Sequence, residues 1–245
     1  MKTTIIYEPR GRAKEYSELA ANLYRGCGHR CLYCYAPRAI RVDWDEFSQP
    51  CVRKNIIERL ERDARILAQY NEKRPILLSF TTDPYQPLDV EVQLTRKAIQ
   101  ILHRYNLKVF ILTKGGSRAE RDFDLLAERP ELSAFGVSLV FSDEGMRREM
   151  EPFAANTEER IVSLQKAHGM GIYTYVSLEP VWDPDQSLEL IERTHDVVDY
   201  FKVGKLNHNE RQDRIDWSKF LKDVIKRLNY YEKPFYIKKD LQAYT

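Results

Sequence analysis

The chain has 245 residues, with 39 Lys+Arg against 37 Asp+Glu, a net charge of +2 and a pI near 8.2, so no global basic excess marks a general nucleic-acid binder. Hydrophobic residues at 43% and charged residues at 31% suit a folded core and exclude a disordered or fibrous chain. No apolar run reaches the roughly 18 residues of a membrane span, and Met1 to Glu8 lacks an apolar signal region, so a cytoplasmic protein with no membrane partner is expected.

In chain order, short apolar runs alternate with amphipathic windows. Strands are expected at Leu19 to Tyr24, Ile76 to Phe80, Lys108 to Thr113, Ala134 to Val140, Ile172 to Leu178 and Tyr200 to Val203. Helices are expected at Ile56 to Tyr70, around Leu94 to Tyr105, at Glu120 to Ala127, Thr157 to His168 and Ser187 to Thr194, and along Trp217 to Leu228. Thr157 and Ser187 stand where N-caps would. Six βα units imply right-handed crossovers and a parallel sheet, either doubly wound or curled into a partial (βα)6 TIM-like barrel of the α/β class. The expected organisation is one domain over 1–245: a lead (1–18), the first strand and its loop (19–38), the remaining units (39–228) and a C-terminal extension (229–245). Chemistry belongs beyond the carboxyl ends of the strands.

The loop after the first strand holds Cys27, Cys31 and Cys34, a C-x3-C-x2-C pattern, while Cys51 stands apart. Four cysteines are too few for a disulfide scaffold, so clustered thiols in a reducing compartment point to a soft metal. Zinc in a structural site takes four ligands, with His29 or Cys51 as a candidate fourth, whereas cluster iron with three protein thiolates leaves one position open.

With the aromatic Tyr33 before Cys34, and with Asn22-Leu23-Tyr24-Arg25-Gly26-Cys27, Cys34-Tyr35-Ala36-Pro37-Arg38 and Thr82-Asp83-Pro84-Tyr85-Gln86-Pro87 around it, the chain resembles the radical S-adenosylmethionine (SAM) superfamily, and within it the spore photoproduct lyase-like branch. The resemblance spans about residues 5–240. It implies that Cys27, Cys31 and Cys34 hold a 4Fe-4S cluster. SAM would occupy the open iron and be cleaved reductively to a 5′-deoxyadenosyl radical. A flavodoxin- or ferredoxin-type donor would supply the electron, and the substrate would be a nucleic acid or nucleobase. Tyr33 would pack near adenine, Thr82 and Asp83 would accept from the SAM ammonium, Lys114 would meet its carboxylate and Ser138 its ribose.

Tyr35, directly after the last cysteine, corresponds to a tyrosine associated with radical return. Glu179, followed by Pro180 at a strand end, is a further candidate for the cofactor basin, and Lys202, Lys205 and Asn207 are expected to point into it. His29, His168, His195 and His208 read as surface or supporting residues. Arg25, Arg30, Arg38 and Arg41 crowd the cysteine loop.

One feature of the branch is missing: Leu78-Ser79-Phe80-Thr81-Thr82-Asp83 holds no thiol where the lyase carries a hydrogen-donating cysteine. The alternatives are a radical SAM enzyme acting on a peptide or metabolite, and a zinc-stabilised binding domain without catalysis. The sequence leaves the oligomeric state open.

Overall fold

The computed structural model describes residues 3–245. Its main sheet has eight strands in the order β1-β2-β5-β6-β7-β8-β9-β10. These are β1 (Ile6–Tyr7), β2 (Leu19–Ala21), β5 (Ile76–Leu78), β6 (Val109–Thr113), β7 (Ser133–Ser138), β8 (Tyr173–Val181), β9 (Tyr200–Lys205) and β10 (Phe235–Ile237). Every neighbour pair from β2 to β10 is parallel; only β1 runs antiparallel, against β2. The helices Ile56–Gln69, Leu94–Arg104, Thr157–Gly169, Pro184–Thr194 and Trp217–Tyr230 connect or follow these strands, as a partial barrel with crossover helices requires.

Two expectations need correction at the ends of the chain. The C-terminal extension supplies a seventh parallel strand, β10, and the lead supplies β1. Both strands are two or three residues long, too short to show a period. Asp63, buried on its helix, fixes β1 by accepting from the amides of Thr4 (2.7 Å), Ile5 (2.5 Å) and Ile6 (3.2 Å).

Two N-caps also lie elsewhere. Asn156, not Thr157, caps Thr157–Gly169 by accepting from Glu159 N at 2.7 Å, and Asp183, not Ser187, caps Pro184–Thr194. The Thr157 hydroxyl instead donates to Phe141 O at 2.7 Å, and that of Ser187 to Asp183 O at 3.1 Å. Residues Glu120 to Ala127 divide into a 3-10 turn, Gly116–Asp122, and a short helix, Phe123–Glu128.

Strand register orders the barrel interior in layers. Leu112, Gly136, Tyr175 and Tyr200 share one level, and Ser138, Ser177, Lys202 and Tyr236 share the next. Their neighbours in the strands, such as Ile111, Val137, Val176, Phe201 and Val203, are buried in the core shared with the helices. Tyr175 lies across Gly136 and donates to Ile111 O at 2.6 Å, so the lower barrel is filled. The open space lies above it, toward the carboxyl ends.

Candidate functional site

The cysteine loop leaves β2 through a two-stranded antiparallel clip, β3 (Tyr24–Arg25) and β4 (Cys51–Val52). Gly26 starts the loop at φ +77°, where a side chain would run into Phe47 O, the carbonyl that accepts Cys27 N at 2.8 Å. Leu32 N bonds Met150 O at 2.9 Å, so the segment before Ala154 holds the loop from the other side.

All four cysteines are free thiols. Cys27, Cys31 and Cys34 are at least half-buried, and Cys34 lies close enough to raise the thiol pKa of both Cys27 and Cys31, whereas Cys51 is exposed on β4 opposite Arg25. Burial first, then the Asp83 charge, pushes Cys27 up to about 12, and burial followed by Glu151 pushes Cys31 up. Such thiols give up their protons when a cation takes the proton's place.

No group of three or more His, Cys, Asp and Glu among the described residues is arranged around a single ion. Of the two candidate fourth ligands, Cys51 is a free exposed thiol and His29 is committed elsewhere. His29 is buried, not a surface residue: its Nδ1 stands 3.4 Å from Asp83 Oδ2, and its Nε2 lies 2.9 Å from Arg118 Nη2. Burial, outweighing Asp83, holds His29 below the usual imidazole range, so it is neutral and accepts from Arg118. Three free cysteines in one short loop are the protein thiolate complement that a 4Fe-4S cluster with one open iron takes.

Around this loop the candidate cofactor residues divide into three kinds. Asp83 is saturated within the protein: its carboxylate accepts from Tyr85 N (2.8 Å), Thr113 Oγ1 (2.6 Å) and Lys114 N (2.7 Å) and faces His29. Lys114 and Tyr33 meet on Glu151. Tyr33 OH donates to Glu151, and Lys114 Nζ stands 3.6 Å from Glu151 Oε1 and 5.8 Å from the Tyr33 ring centroid. Thr82 is different again, because its Oγ1 is buried with no partner, as are Ser79 Oγ beside it and Ser177 Oγ on β8.

Buried hydroxyls without partners mark places where a polar ligand completes the hydrogen bonding. Ser138 pairs in register with Ser177, and Lys114 lies one step beyond the Thr113–Val137 pair, so these residues share a level with the orphaned hydroxyl of Ser177. The residues present therefore fit a polar cofactor beside the cysteine loop.

Sequence reasoning missed Glu151 and Arg160. Glu151 is fully buried and receives Arg160 Nη2 at 2.5 Å; Arg160 also donates to Ala155 O and, at 2.9 Å, to Ser138 O. Burial alone would raise the Glu151 carboxyl, but Arg160 and Lys114 more than offset it and leave it low. The one sequence signal is a charged residue on the buried face of Thr157–Gly169, at a position flanked by Ile161.

A second group lies across the opening. Glu179 accepts from Tyr16 OH and is paired with Lys238 Nζ at 2.5 Å; its carboxyl sits over Gly204, where a Cβ would meet Glu179 Cδ at 2.6 Å. Tyr35 is 43% exposed and its OH reaches Phe80 O at 3.4 Å. Its ring packs on Phe80 (6.1 Å), which meets Tyr16 edge-on at 5.5 Å. Lys202 points into this interior as expected, but Lys205 turns away onto Trp217 (5.1 Å) and Tyr244 (5.6 Å). Asn207 is held by Lys205 O and Asp240 Oδ2.

A partial, mostly parallel βα barrel whose clustered thiols and unpartnered hydroxyls gather at the carboxyl ends of its strands defines the class: an α/β barrel with a cofactor-type site at its mouth. Residues 21–198 match the Radical SAM superfamily, and the chain belongs to that superfamily. Its members are enzymes of radical chemistry that use a 4Fe-4S cluster and SAM.

The chain is similar to an uncharacterized protein of Methanocaldococcus jannaschii, 26% identical over 161 residues, 65% of this chain and 59% of that protein. It is 29% identical over 167 residues to one of Mycobacterium bovis, covering 65% and 48%. The chain thus spans about half to six-tenths of these relatives. In fold it resembles spore photoproduct lyase with bound AdoMet and dinucleoside spore photoproduct (TM-score 0.73, 14% identity, 94% of this chain and 78% of that one). It also resembles Streptococcus suis SuiB bound to S-adenosylmethionine (TM-score 0.67, 14% identity, 89% and 49%). No helix among the described residues is long and apolar enough to cross a membrane.

Proposed function

We propose that the chain binds a 4Fe-4S cluster through Cys27, Cys31 and Cys34, cleaves SAM reductively, and acts on a nucleic acid or nucleobase. The observation that carries the first part is three free cysteines in the loop after β2, together with the unpartnered hydroxyls of Ser79, Thr82 and Ser177 at the strand ends. When bound, the cluster supplies one electron to the SAM sulfonium and so generates the hydrogen-abstracting species.

The chain's own residues orient and shield. Thr82 and Ser177 offer acceptors for an ammonium and a ribose hydroxyl, and Ser138 lies beside Ser177. Lys114 is held by Glu151 within reach of a carboxylate, and Tyr33, packed on Phe141 and Trp182, offers an aromatic face for adenine. Asp83 acts at one remove, by fixing His29, Thr113 and the Lys114 amide. Glu179 orients Lys238 and Tyr16 at the far wall.

Two features support a nucleic-acid substrate. The fold neighbour above carries a dinucleoside photoproduct. The cysteine loop exposes Arg25, Arg30, Arg38 and Arg41 without an acidic residue between positions 19 and 42. With no thiol among Leu78 to Asp83, Tyr35, exposed directly after Cys34, is the residue proposed to return a hydrogen atom. The electron comes from an external flavodoxin- or ferredoxin-type donor.

The test is anaerobic reconstitution with iron and sulfide, then dithionite and SAM, with chromatography for 5′-deoxyadenosine. Formation in the native protein and its loss in Cys31→Ala is the expected result; tight zinc without iron uptake overturns the proposal. Mass spectrometry of irradiated and untreated oligonucleotides then reads the substrate half: SAM-dependent change in neither, with change in a peptide or metabolite pool, overturns that half alone.

A further inference from the structure

An open cavity of about 850 Å³ lies between β9, β10 and the segment 11–15, away from the candidate cofactor residues. Lys202 rises from β9 at the level of Ser138 and Ser177, and its ammonium donates only to backbone, Tyr16 O at 2.6 Å and Glu15 O at 3.5 Å. Lys14 and Lys239 stand at the rim, and among the described residues none of the three lysines has a carboxylate within ion-pair distance.

The two carboxylates of the cavity are already engaged. Glu15 accepts from Tyr236 OH (3.0 Å) and Lys239 N (2.9 Å), while Asp240 Oδ2 takes Arg12 (3.4 Å) and Asn207 (2.6 Å). The other oxygen of Asp240, Oδ1, is buried without a donor. Four cations against two occupied carboxylates, plus one unpartnered acceptor and the rings of Tyr200 and Tyr236, form a complement for a phosphate carried on a hydroxylated, ring-bearing group.

The cavity is joined to the cysteine loop by an aromatic wall, Tyr35 on Phe80 and Phe80 on Tyr16, and Lys202 bonds the backbone of that same Tyr16. Rings next to cations are how sequence-tolerant sites hold nucleotides, bases on the rings and phosphates on the ammonium groups; of this wall Tyr35 is exposed, while Phe80 and Tyr16 are half-buried and Lys238 covers the Tyr16 ring.

We propose that this cavity binds the phosphate ester of the substrate nucleotide through Lys202, Lys14 and Lys239, with the attached base directed toward the exposed ring of Tyr35 and the cysteine loop. The assignment rests on the nucleotide-directed reading above and adds to it the place and the cations. Burial, followed by the neighbouring Lys238 charge, lowers the Lys202 ammonium to about 8, so it is charged at neutral pH and regains on anion binding part of what burial costs it.

The chemistry is shared by a phosphodiester within a strand and by a free nucleotide monophosphate, and two probes separate them. Anisotropy of a labelled short oligothymidylate is followed at several salt concentrations with the reconstituted protein, and unlabelled thymidine monophosphate is added as competitor. Lys14→Gln/Lys239→Gln, altering only exposed side chains, is expected to weaken the strand about tenfold and to lower the slope of log K against log salt by about 1.4, near 0.7 per lysine on a single strand. Lys202→Gln is expected to add a further loss of similar size.

Competition by the monophosphate at micromolar concentration, abolished in the same variants, assigns the site to free nucleotides; no competition assigns it to strands. Native affinity and slope in the double variant overturn the proposal, and if Lys202→Gln fails to fold the double variant decides alone. Formation of 5′-deoxyadenosine without nucleotide is measured separately, so failure of the radical SAM reading is distinguishable from failure of this site.

Discussion

Glu151 and Arg160 form a fully buried ion pair, 2.5 Å between Oε2 and Nη2, directly behind the cysteine loop. Tyr33 and Lys114 close on the other carboxylate oxygen, so one buried charge orients two of the candidate SAM residues. Removing Arg160 would strand that charge. Arg160→Met is expected to lower the unfolding free energy by about 3–5 kcal/mol, whereas Arg160→Met/Glu151→Gln recovers a part of it. Urea denaturation of the three proteins checks this; equal loss in single and double variants would show that packing, not charge, sets the cost.

The assignment of the metal ligands makes a selective prediction. Cys27→Ala, Cys31→Ala and Cys34→Ala should each lose iron on reconstitution, while Cys51→Ala, altering an exposed thiol on β4, should retain the native iron content and its absorption. Iron loss in Cys51→Ala would return that residue to the ligand set.

Gly204 is small because Glu179 lies against it. Gly204→Ala should destabilise by about 1–3 kcal/mol through overpacking and push Glu179 off Lys238. Glu179→Gln, which keeps the volume and removes the charge, leaves Lys238 buried without its counter-charge and should cost stability without a steric cause. Thermal unfolding of both variants, with Gly204→Ser as a larger insertion, checks the order.

His103 supplies a pH dependence remote from the cofactor site. Burial, then the Arg129 charge, lowers it to about 4, and Ser133 Oγ stands 3.2 Å from its Nε2. The unfolded chain protonates near 6.5, above the folded value, so the unfolded state binds the extra proton between these values. Stability is therefore full above pH 6.5 and falls as pH drops toward 4, by about 2 kcal/mol at pH 5. Denaturation at pH 7.5 and 5 should show this loss in the native protein and a reduced loss in His103→Gln.

Tyr35 follows Cys34 and is the exposed phenol nearest the loop. Tyr35→Phe is expected to keep iron content and SAM cleavage but to lower product formed per 5′-deoxyadenosine released, because hydrogen return fails after abstraction. An unchanged ratio would remove Tyr35 from the reaction.

Much of this was legible locally. The strands β5, β6, β7, β8 and β9 follow from short buried runs, and the amphipathic helices from their 3.6-residue stripes, since both patterns report contacts of a residue with its own element. The strands β1 and β10 were not legible, because their identity comes from pairing with β2 and β9 and not from their own two or three residues. The caps at Asn156 and Asp183 lay one and four positions before the residues expected, Thr157 and Ser187, which are themselves residue types able to cap.

The same division holds for chemistry. The sequence by itself located the candidate centre: three cysteines in one short loop after a strand can be gathered by local chain geometry alone, and Tyr33 and Tyr35 come with them. Only the tertiary structure decided which candidates are free. It saturated Asp83 and His29, left Thr82 and Ser177 without partners, turned Lys205 outward and brought Lys202 inward. It also set Glu151 behind Tyr33, 118 positions away, and Tyr16 against Glu179, 163 positions away. The physical reason is that hydrogen-bond satisfaction and desolvation are properties of an enclosed volume, and the volume here is closed by strand register and by the returning segment 11–16, neither of which a local pattern encodes.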